Sequence, residues 1–598
     1  MVKRFKLILP LLAVLFLVHA CAEDIIEVVD DPDPEEQPQE QGSDVKPEDP
    51  PAEKPDTTEI KLTGEIIGTE KCVDYSSGEA TYSKNTRQNV FDGNYDTYFA
   101  TYTRSGTWVG LDLGEKHVIT RVGYSPRISQ EGRVQLAVIE GANSIDFSDA
   151  LPLGIIKEKG ISRQMQYIDV HCTRGFRYVR YVGPNDARCN LAELEFYGWK
   201  GEGDDSLFCQ LTNLPTVIIN TQHAREITSK TTYVTSNVSI ISNGGRKILE
   251  TAETGVRGRG NASWGFPKKP YKIKFAEKHT VPGSPTSDKK WTLINNYGDK
   301  TLMRNILAFE VSRRAGMAYT PFCTPVDLIL NGEYEGCYQL CDQVESGEGR
   351  VPAKGGFFIE IDAYAYSEPV YFYSAKGIPV TVKHPDNDKI TAGELSFIKN
   401  YFSQMETAMF GNNYKDPGKG YRKYLDLDSF LRNFIIGEFC GNTDTYWSVN
   451  MYKDGANGPF FTGPAWDYDL AFENDNRTYP INSINDYIYA SKGSVAADAV
   501  RTMVNRIVKQ DPDARARLVE LWDEAKPSLQ DLNDYVDRTA ALLDESQQLN
   551  FIRWPILDTY VHQNPNTYGS YAGEVDAVKK YITRRLTRFD ELVRKYNQ

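Results

Sequence analysis

Gly437-Glu-Phe-Cys-Gly-Asn-Thr-Asp-Thr-Tyr-Trp-Ser-Val-Asn-Met-Tyr-Lys453, continued by Gly463-Pro-Ala-Trp-Asp-Tyr-Asp-Leu-Ala-Phe472, is the stretch on which the reading of this 598-residue chain turns. As chemistry it offers Asp444, then Asn450, then Asp467. Ser448 to Lys453 and Pro459 to Thr462 are rich in Val, Tyr, Phe and Thr and read as strands, with turn chemistry in Asp454-Gly-Ala-Asn-Gly458 between them. A loop, a hairpin and a second loop would bring two carboxylates and an amide together. Such a set suits Mg²⁺, a hard ion that takes oxygen ligands and keeps waters for phosphate. The plainer reading is Asn and Asp easing the backbone through turns. For one Asp that reading is the stronger; for the ordered set the metal-binding one is.

An Asp that accepts a hydroxyl proton, an Asn on the metal, a strand pair and a second Asp on metal and phosphates follow one another in this order in a protein-kinase centre. The spacing agrees loosely: Asn450 lies six residues after Asp444 where the ordinary loop has about five, and no His-Arg precedes the Asp. Upstream, Gly258, Gly260 and Gly265 punctuate a loop that lets backbone amides approach phosphates, and Arg257 and Arg259 add charge. On the strand Tyr271 to Phe275 alternation places Tyr271, Ile273 and Phe275 on one face and Lys272 and Lys274 on the other. A helix is expected from Asp299, its N-cap, to Gly316, and it carries Glu310 as candidate partner for the strand Lys. Pro325 to Leu330, Asn331-Gly332 and Tyr334 to Leu340 predict a hairpin, after which Cys341-Asp-Gln-Val344 would lie near an adenine. From Thr391 the pattern turns helical: Leu395, Ile398, Phe402, Met405 and Met409 form one stripe, and Asp428 to Phe439 a second helix. Residues 497 to 596 are expected as helices broken at Pro527 and Pro555, with Arg553 and Trp554 within reach of a groove.

The chain opens with Met1-Val-Lys-Arg-Phe-Lys, an apolar run from Leu7 to Val18, and Ala20-Cys21. This predicts a lipoprotein-type signal peptide over 1–20, with Cys21 as membrane anchor. Residues 21–59 are expected as a disordered acidic, Pro-rich stalk: fifteen acids stand against two lysines there. The acidity behind the formal net charge of -14 therefore belongs mostly to the stalk, and no nucleic-acid partner is expected. An acidic start after the cysteine resembles the export signal of surface lipoproteins in some Gram-negative bacteria. Eight further cysteines at irregular spacing predict one or two disulfides and no zinc site.

Residues 60–200 are dense in short alternating runs, among them Trp108-Val-Gly-Leu-Asp-Leu and Arg177-Tyr-Val-Arg-Tyr-Val, and predict a β-sandwich. Val90-Phe-Asp-Gly-Asn-Tyr-Asp-Thr-Tyr-Phe99 and Ala192-Glu-Leu-Glu-Phe-Tyr-Gly198 resemble the discoidin-like, factor 5/8 type C domain, a jelly roll that often binds glycans or lipid head groups. The resemblance implies a Ca²⁺ site on Asp92, Asp96, Thr97 and Glu193, where a bare Asx turn is the plainer alternative. Tyr95, Tyr98 and Tyr102 are candidates to stack on a sugar.

A linker over 201–213 then leads into 214–598. There Arg257 to Phe275, Asp299-Lys-Thr-Leu-Met-Arg-Asn305, Leu330 to Tyr338, Asn442-Thr-Asp444 with Asn450, and Trp466-Asp-Tyr-Asp469 together resemble the CotH kinase family. The resemblance implies an atypical α+β protein-kinase-like fold with a helical C-terminal half and ATP- and Mg²⁺-dependent phosphorylation of protein Ser. Asp444 would be the catalytic base. Asn450, Asp467 and Asp469 would hold Mg²⁺, and Arg257, Gly258, Gly260, Lys272, Lys274 and Glu310 the nucleotide. Asp342 stands where the family more often has Glu. The expectation is a multidomain, lipid-anchored surface kinase targeted by a carbohydrate-binding-like sandwich. The alternative is a non-catalytic glycan-binding adhesion protein that keeps the kinase fold as scaffold.

Overall fold

The computed structural model describes residues 56–75, 79–81, 84–491 and 497–597. The signal peptide, Cys21 and all but the end of the stalk lie outside them. Among the described residues no helix is long and apolar enough to cross a membrane.

The sandwich is built on one long strand, Trp108–Pro126. Its first part pairs with Glu65–Gly68 and Gly175–Val182, and its second with Gln166–Asp169 and Leu191–Lys200, so one strand serves both layers. Alternation sends Val109, Leu111, Val179, Tyr181, Leu194 and Phe196 into the space between.

After the sandwich comes a closed seven-stranded barrel of Thr216–Thr221, Val234–Ser242, Arg246–Gly258, Tyr271–His279, Asp288–Ile294, Cys323–Leu330 and Glu333–Asp342. Parallel pairing of Thr216–Ile219 with Asp327–Leu330 seals it. Tyr271, Ile273 and Phe275 point inward with Trp291 and Tyr338, as alternation requires. The hairpin at Asn331-Gly332 is a two-residue turn with φ of 53° and 84°, the conformation such Asn-Gly pairs favour.

Helix α1, Arg304–Arg314, is shorter than the expected 299–316. Asp299 lies in the loop ahead of it and caps from there, accepting from the Arg304 amide at 2.8 Å and pairing with its guanidinium at 2.5 Å. The hairpin that follows Asp444 is larger than two strands: Ser448–Lys453 joins a five-stranded sheet with Phe461–Thr462 on one side and Phe357–Asp362, Pro379–His384 and Tyr371–Tyr373 on the other. Around it pack α2 (Ala392–Phe410) and α3 (Leu427–Cys440), then α4 (Asp498–Asn505), α5 (Pro512–Leu529), α6 (Leu532–Arg553) and α7 (Tyr571–Lys595). Thr391 and Glu394 form a capping box on α2, and Gly441, at φ 74°, ends α3.

Three expectations are corrected. Pro527 breaks no helix: it sits in the last turn of α5. Arg553 and Trp554 reach no groove but clamp α6 to the barrel, Arg553 pairing with Glu335 at 3.5 Å and the Trp554 indole donating to the Glu335 carbonyl at 2.9 Å. None of the eight described cysteines is bonded to another in this structure; Cys323 and Cys341 face each other across neighbouring strands, their sulfurs 2.7 Å apart.

Residues 201–213 are not a loose tether. Phe208 and Leu211 are buried, the Thr212 hydroxyl donates to Asp327 at 2.5 Å, and Arg174 and Lys247 both pair with Asp205. The sandwich core continues through them into Ile218, Ile241 and Ile329 of the barrel and Leu549 of α6.

Candidate active site

Gly441 turns the chain out of α3 and into a 3₁₀ turn, Thr443–Tyr446, which presents Asp444. Asn442 ties this turn to the next loop: its Oδ1 accepts from the Asp444 amide at 3.3 Å and its Nδ2 donates to the Asp467 carbonyl at 3.3 Å. The Asp444 carboxylate is half-buried and pairs with Arg477 at 3.0 Å; Arg477 is itself fixed on Asp475 at 2.6 Å. Burial pushes the Asp444 carboxyl above its ordinary range, with Arg477 opposing and Asp475 adding to the rise.

Asn450 donates through Nδ2 to the Pro464 carbonyl at 3.1 Å, and its buried Oδ1 has no partner. Asp467 adopts φ 65°, a left-handed conformation that Asp tolerates better than most residues. The next amide, of Tyr468, is held by Asn305 of α1 at 2.7 Å, so the Asp299-to-Asn305 segment positions the Asp467 loop. Solvent reaches Asp467 although protein surrounds it. This desolvation raises its carboxyl, Arg259 opposes the rise, and Asp444 and Glu360 add to it. Asp469 is raised well above its ordinary range by burial and then by Asp467 and Asp299.

Asp444, Asp467 and Asp469 thus lie within reach of one another's charge. Among the described residues no three His, Cys, Asp or Glu side chains converge to hold an ion alone. Asp467 and the unpartnered Asn450 oxygen are hard-oxygen donors of the kind that fit Mg²⁺, which usually takes one or two carboxylates and completes its shell with phosphates and water. The orphaned Asn450 oxygen is the donor such an ion would satisfy.

The expected nucleotide residues fare unequally. Lys272 lies between Arg257 and Thr292 in the barrel register, and burial pulls it down to about 8, against the charge of Glu345. Lys274 is exposed over the Tyr233 ring. Glu310 is not the lysine's partner: it pairs with Arg313 at 2.8 Å and Arg314 at 2.7 Å on its own helix. Those arginines stand three and four residues on, where helical neighbours meet. Arg257 is bound to the backbone carbonyls of Lys230 and Gly258. The space Gly258 leaves is filled by Trp264, whose ring a Cβ would meet at 2.3 Å, and Gly260 has φ 81°. Of the cations whose charge reaches Asp467, Arg259, 5.6 Å from the Trp466 ring, acts most strongly. Asp342 is engaged by the Phe322 amide at 2.9 Å and the Tyr319 hydroxyl at 3.1 Å.

No motif in the sequence marks Arg477, Glu360 or Lys383. Arg477 stands in an aperiodic polar run, and the other two are on strands distant in sequence, so no spacing rule points to them.

In the sandwich, Asp92 accepts from the Thr97 hydroxyl at 2.8 Å. Glu193 is buried with Oε1 unpartnered, and burial together with Asp92 beside it pushes it up to about 7. Two facing carboxylates with an orphan oxygen fit a Ca²⁺ ligand set on Asp92, Thr97 and Glu193. Asp96 turns away to Arg163 at 2.6 Å. Of the candidate stacking residues, Tyr98 lies under Arg127 at 3.8 Å and Tyr102 is exposed beside Lys71. Tyr95 is half-buried.

Residues 256–588 match the CotH kinase protein family, and residues 73–194 the F5/8 type C domain. No curated protein matches the chain. Solved structures similar to it include the module CBM62 of Clostridium thermocellum Xyl5A, 39% identical over 24% of this chain and 98% of its own, with a TM-score of 0.22. CBM32 of AlyQ in complex with 4,5-unsaturated mannuronic acid is 16% identical over 23% of this chain and 97% of its own, TM-score 0.19. A putative chitobiase fragment from Bacteroides thetaiotaomicron is 16% identical over 26% and 99%, TM-score 0.19.

Proposed function

Since the chain belongs to the CotH kinase protein family, we propose that it transfers the terminal phosphoryl group of ATP to a hydroxyl, in the first instance of a protein Ser. The observation that supports this reading is the unpartnered, buried Asn450 oxygen, with Asp467 and Asp469 on the following loop and Asp444 within range of their charge. Asn450, Asp467 and Asp469 would hold Mg²⁺, which when bound neutralises charge on the phosphates. Asp444 orients the acceptor hydroxyl and takes its proton. Arg477 fixes the Asp444 carboxylate and opposes the burial-driven rise of its pKa. Arg259 and Lys272 supply positive charge on the barrel side of the cleft. Positioning and charge neutralisation are most of what phosphoryl transfer asks of a protein.

The sandwich would bind a glycan, with Ca²⁺ on Asp92, Thr97 and Glu193 stiffening its loop and the Tyr98 and Tyr102 rim facing the sugar. A lipid on Cys21 would place the whole at an outer cell surface.

The direct test incubates the whole chain with radiolabelled ATP, Mg²⁺ and Ser-bearing acceptor peptides. Label on Ser that disappears in Asp444→Asn and on chelation is the expected result. Glycan retention without nucleotide binding would overturn the reading in favour of an adhesion protein with a kinase scaffold.

A further inference from the structure

Resting on the phosphoryl-transfer reading, we infer that Glu360 is a further ligand of the divalent cation in this cleft, and that Lys383 holds its place until the cation arrives. Glu360 lies on the strand Phe357–Asp362, directly opposite Asn450 in the antiparallel register. Directly opposed residues share a face, with Cβ atoms about 5 Å apart. Glu360 is 8% exposed, and its oxygens have two partners: Oε1 accepts from the Ser448 hydroxyl at 2.5 Å, and Oε2 pairs with Lys383. Lys383 comes from the neighbouring strand Pro379–His384, lies over the Phe358 ring at 5.8 Å and is about one-third exposed.

Asn450 is the second, independent observation. Its Nδ2 is committed to the Pro464 carbonyl, which fixes the amide plane, and its Oδ1 is left buried and unsatisfied on the face it shares with Glu360. A buried acceptor without a donor is costly, and a cation removes that cost. The charges of Glu360 and Lys383 also reach Asp467. Two carboxylates and an amide oxygen from two strands and a loop form a hard-oxygen set, short of a full shell and open to phosphate. Lys383 supplies the neutralising charge in the meantime; once displaced, its ammonium is free to meet phosphate oxygens. The bland alternative is a cross-strand ion pair that only holds the sheet.

Two variants of the whole chain separate these. Thermal shift is read against Mg²⁺ at saturating ATP, and Mn²⁺ binding without nucleotide is read by electron paramagnetic resonance. Glu360→Gln keeps the shape and an acceptor for Ser448. It is expected to weaken apparent Mg²⁺ affinity about tenfold or more, with the melting point of the unliganded protein nearly unchanged. Lys383→Met removes the competitor and is expected to tighten nucleotide-free Mn²⁺ binding severalfold. A wild-type chain that shows no cation-dependent shift would sink the phosphoryl-transfer reading itself. A wild-type chain that titrates while Glu360→Gln titrates identically overturns the Glu360 assignment alone. If Glu360→Gln melts early, Lys383→Met decides: unchanged or weaker Mn²⁺ binding means the pair is structural.

Discussion

Asp444, Arg477 and Asp469 carry the sharpest consequences at the scale of the residue. Asp444 touches neither phosphate-side donor, so Asp444→Asn should preserve the ATP-induced thermal shift and lower transfer by about 10²–10⁴-fold; loss of nucleotide binding in this variant would contradict its role as base. Arg477 is the charge that opposes the burial-driven rise of the Asp444 carboxyl. Without it the carboxyl rises further, so in Arg477→Gln the acid limb of the transfer rate should move to higher pH, read from a pH–rate profile. Asp469 is held well above its ordinary value by burial and by its acidic neighbours. A carboxyl raised by folding destabilises the native state wherever it is ionised, and that cost fades as pH falls through the raised pKa. Asp469→Asn should therefore raise the metal-free melting temperature at pH 7.5 by about 2 °C while weakening Mg²⁺ affinity. The gain should shrink as the pH is lowered.

Elements explain what the sequence made legible. Asp444 and Asp467 were readable because each follows a strongly signalled unit, α3 with its Gly441 stop and then a hairpin with a glycine turn, and Asn450 stands on the first strand of that hairpin. The Asn331-Gly332 hairpin was readable for the same reason. Glu310 fits the kinase order but not the local geometry, since Arg313 and Arg314, three and four residues on, claim its carboxylate. Closure of the barrel was not legible, since the pairing of Thr216–Ile219 with Asp327–Leu330 joins segments about a hundred residues apart with no periodic signature. Glu360 and Lys383 were hidden likewise, on strands that only the folded sheet brings beside Asn450. Gly258 shows how a motif residue can have a packing reason: a Cβ there would enter the Trp264 ring. Gly258→Ala should cost about 1–3 kcal/mol in denaturant unfolding. An unchanged midpoint would show that the loop has room to spare.

Across the whole molecule, sandwich, barrel and helical half share buried ground. Asp327 is fully enclosed and accepts from Thr212 of the joint at 2.5 Å, from Tyr334 of the barrel at 2.8 Å and from Ser546 of α6 at 2.6 Å. The apolar cluster beneath the joint also runs through all three. A sugar held by the sandwich would therefore fix the orientation of the kinase cleft. The linkage predicts one cooperative thermal transition, and Asp327→Ala, which strands three buried donors, should lower stability by about 3 kcal/mol or more. Two separated transitions in calorimetry would contradict it. The most direct measurement of the central claim is the thermal shift of the whole chain with ATP and Mg²⁺, beside the Asp467→Asn variant. A ligand that binds the native state must raise its stability, by about 2.7 kcal/mol at a hundredfold excess over Kd. The expected result is a clear upward shift in the wild type that vanishes in Asp467→Asn and on chelation; no shift in either protein, or the same shift in both, would contradict a nucleotide site at these residues.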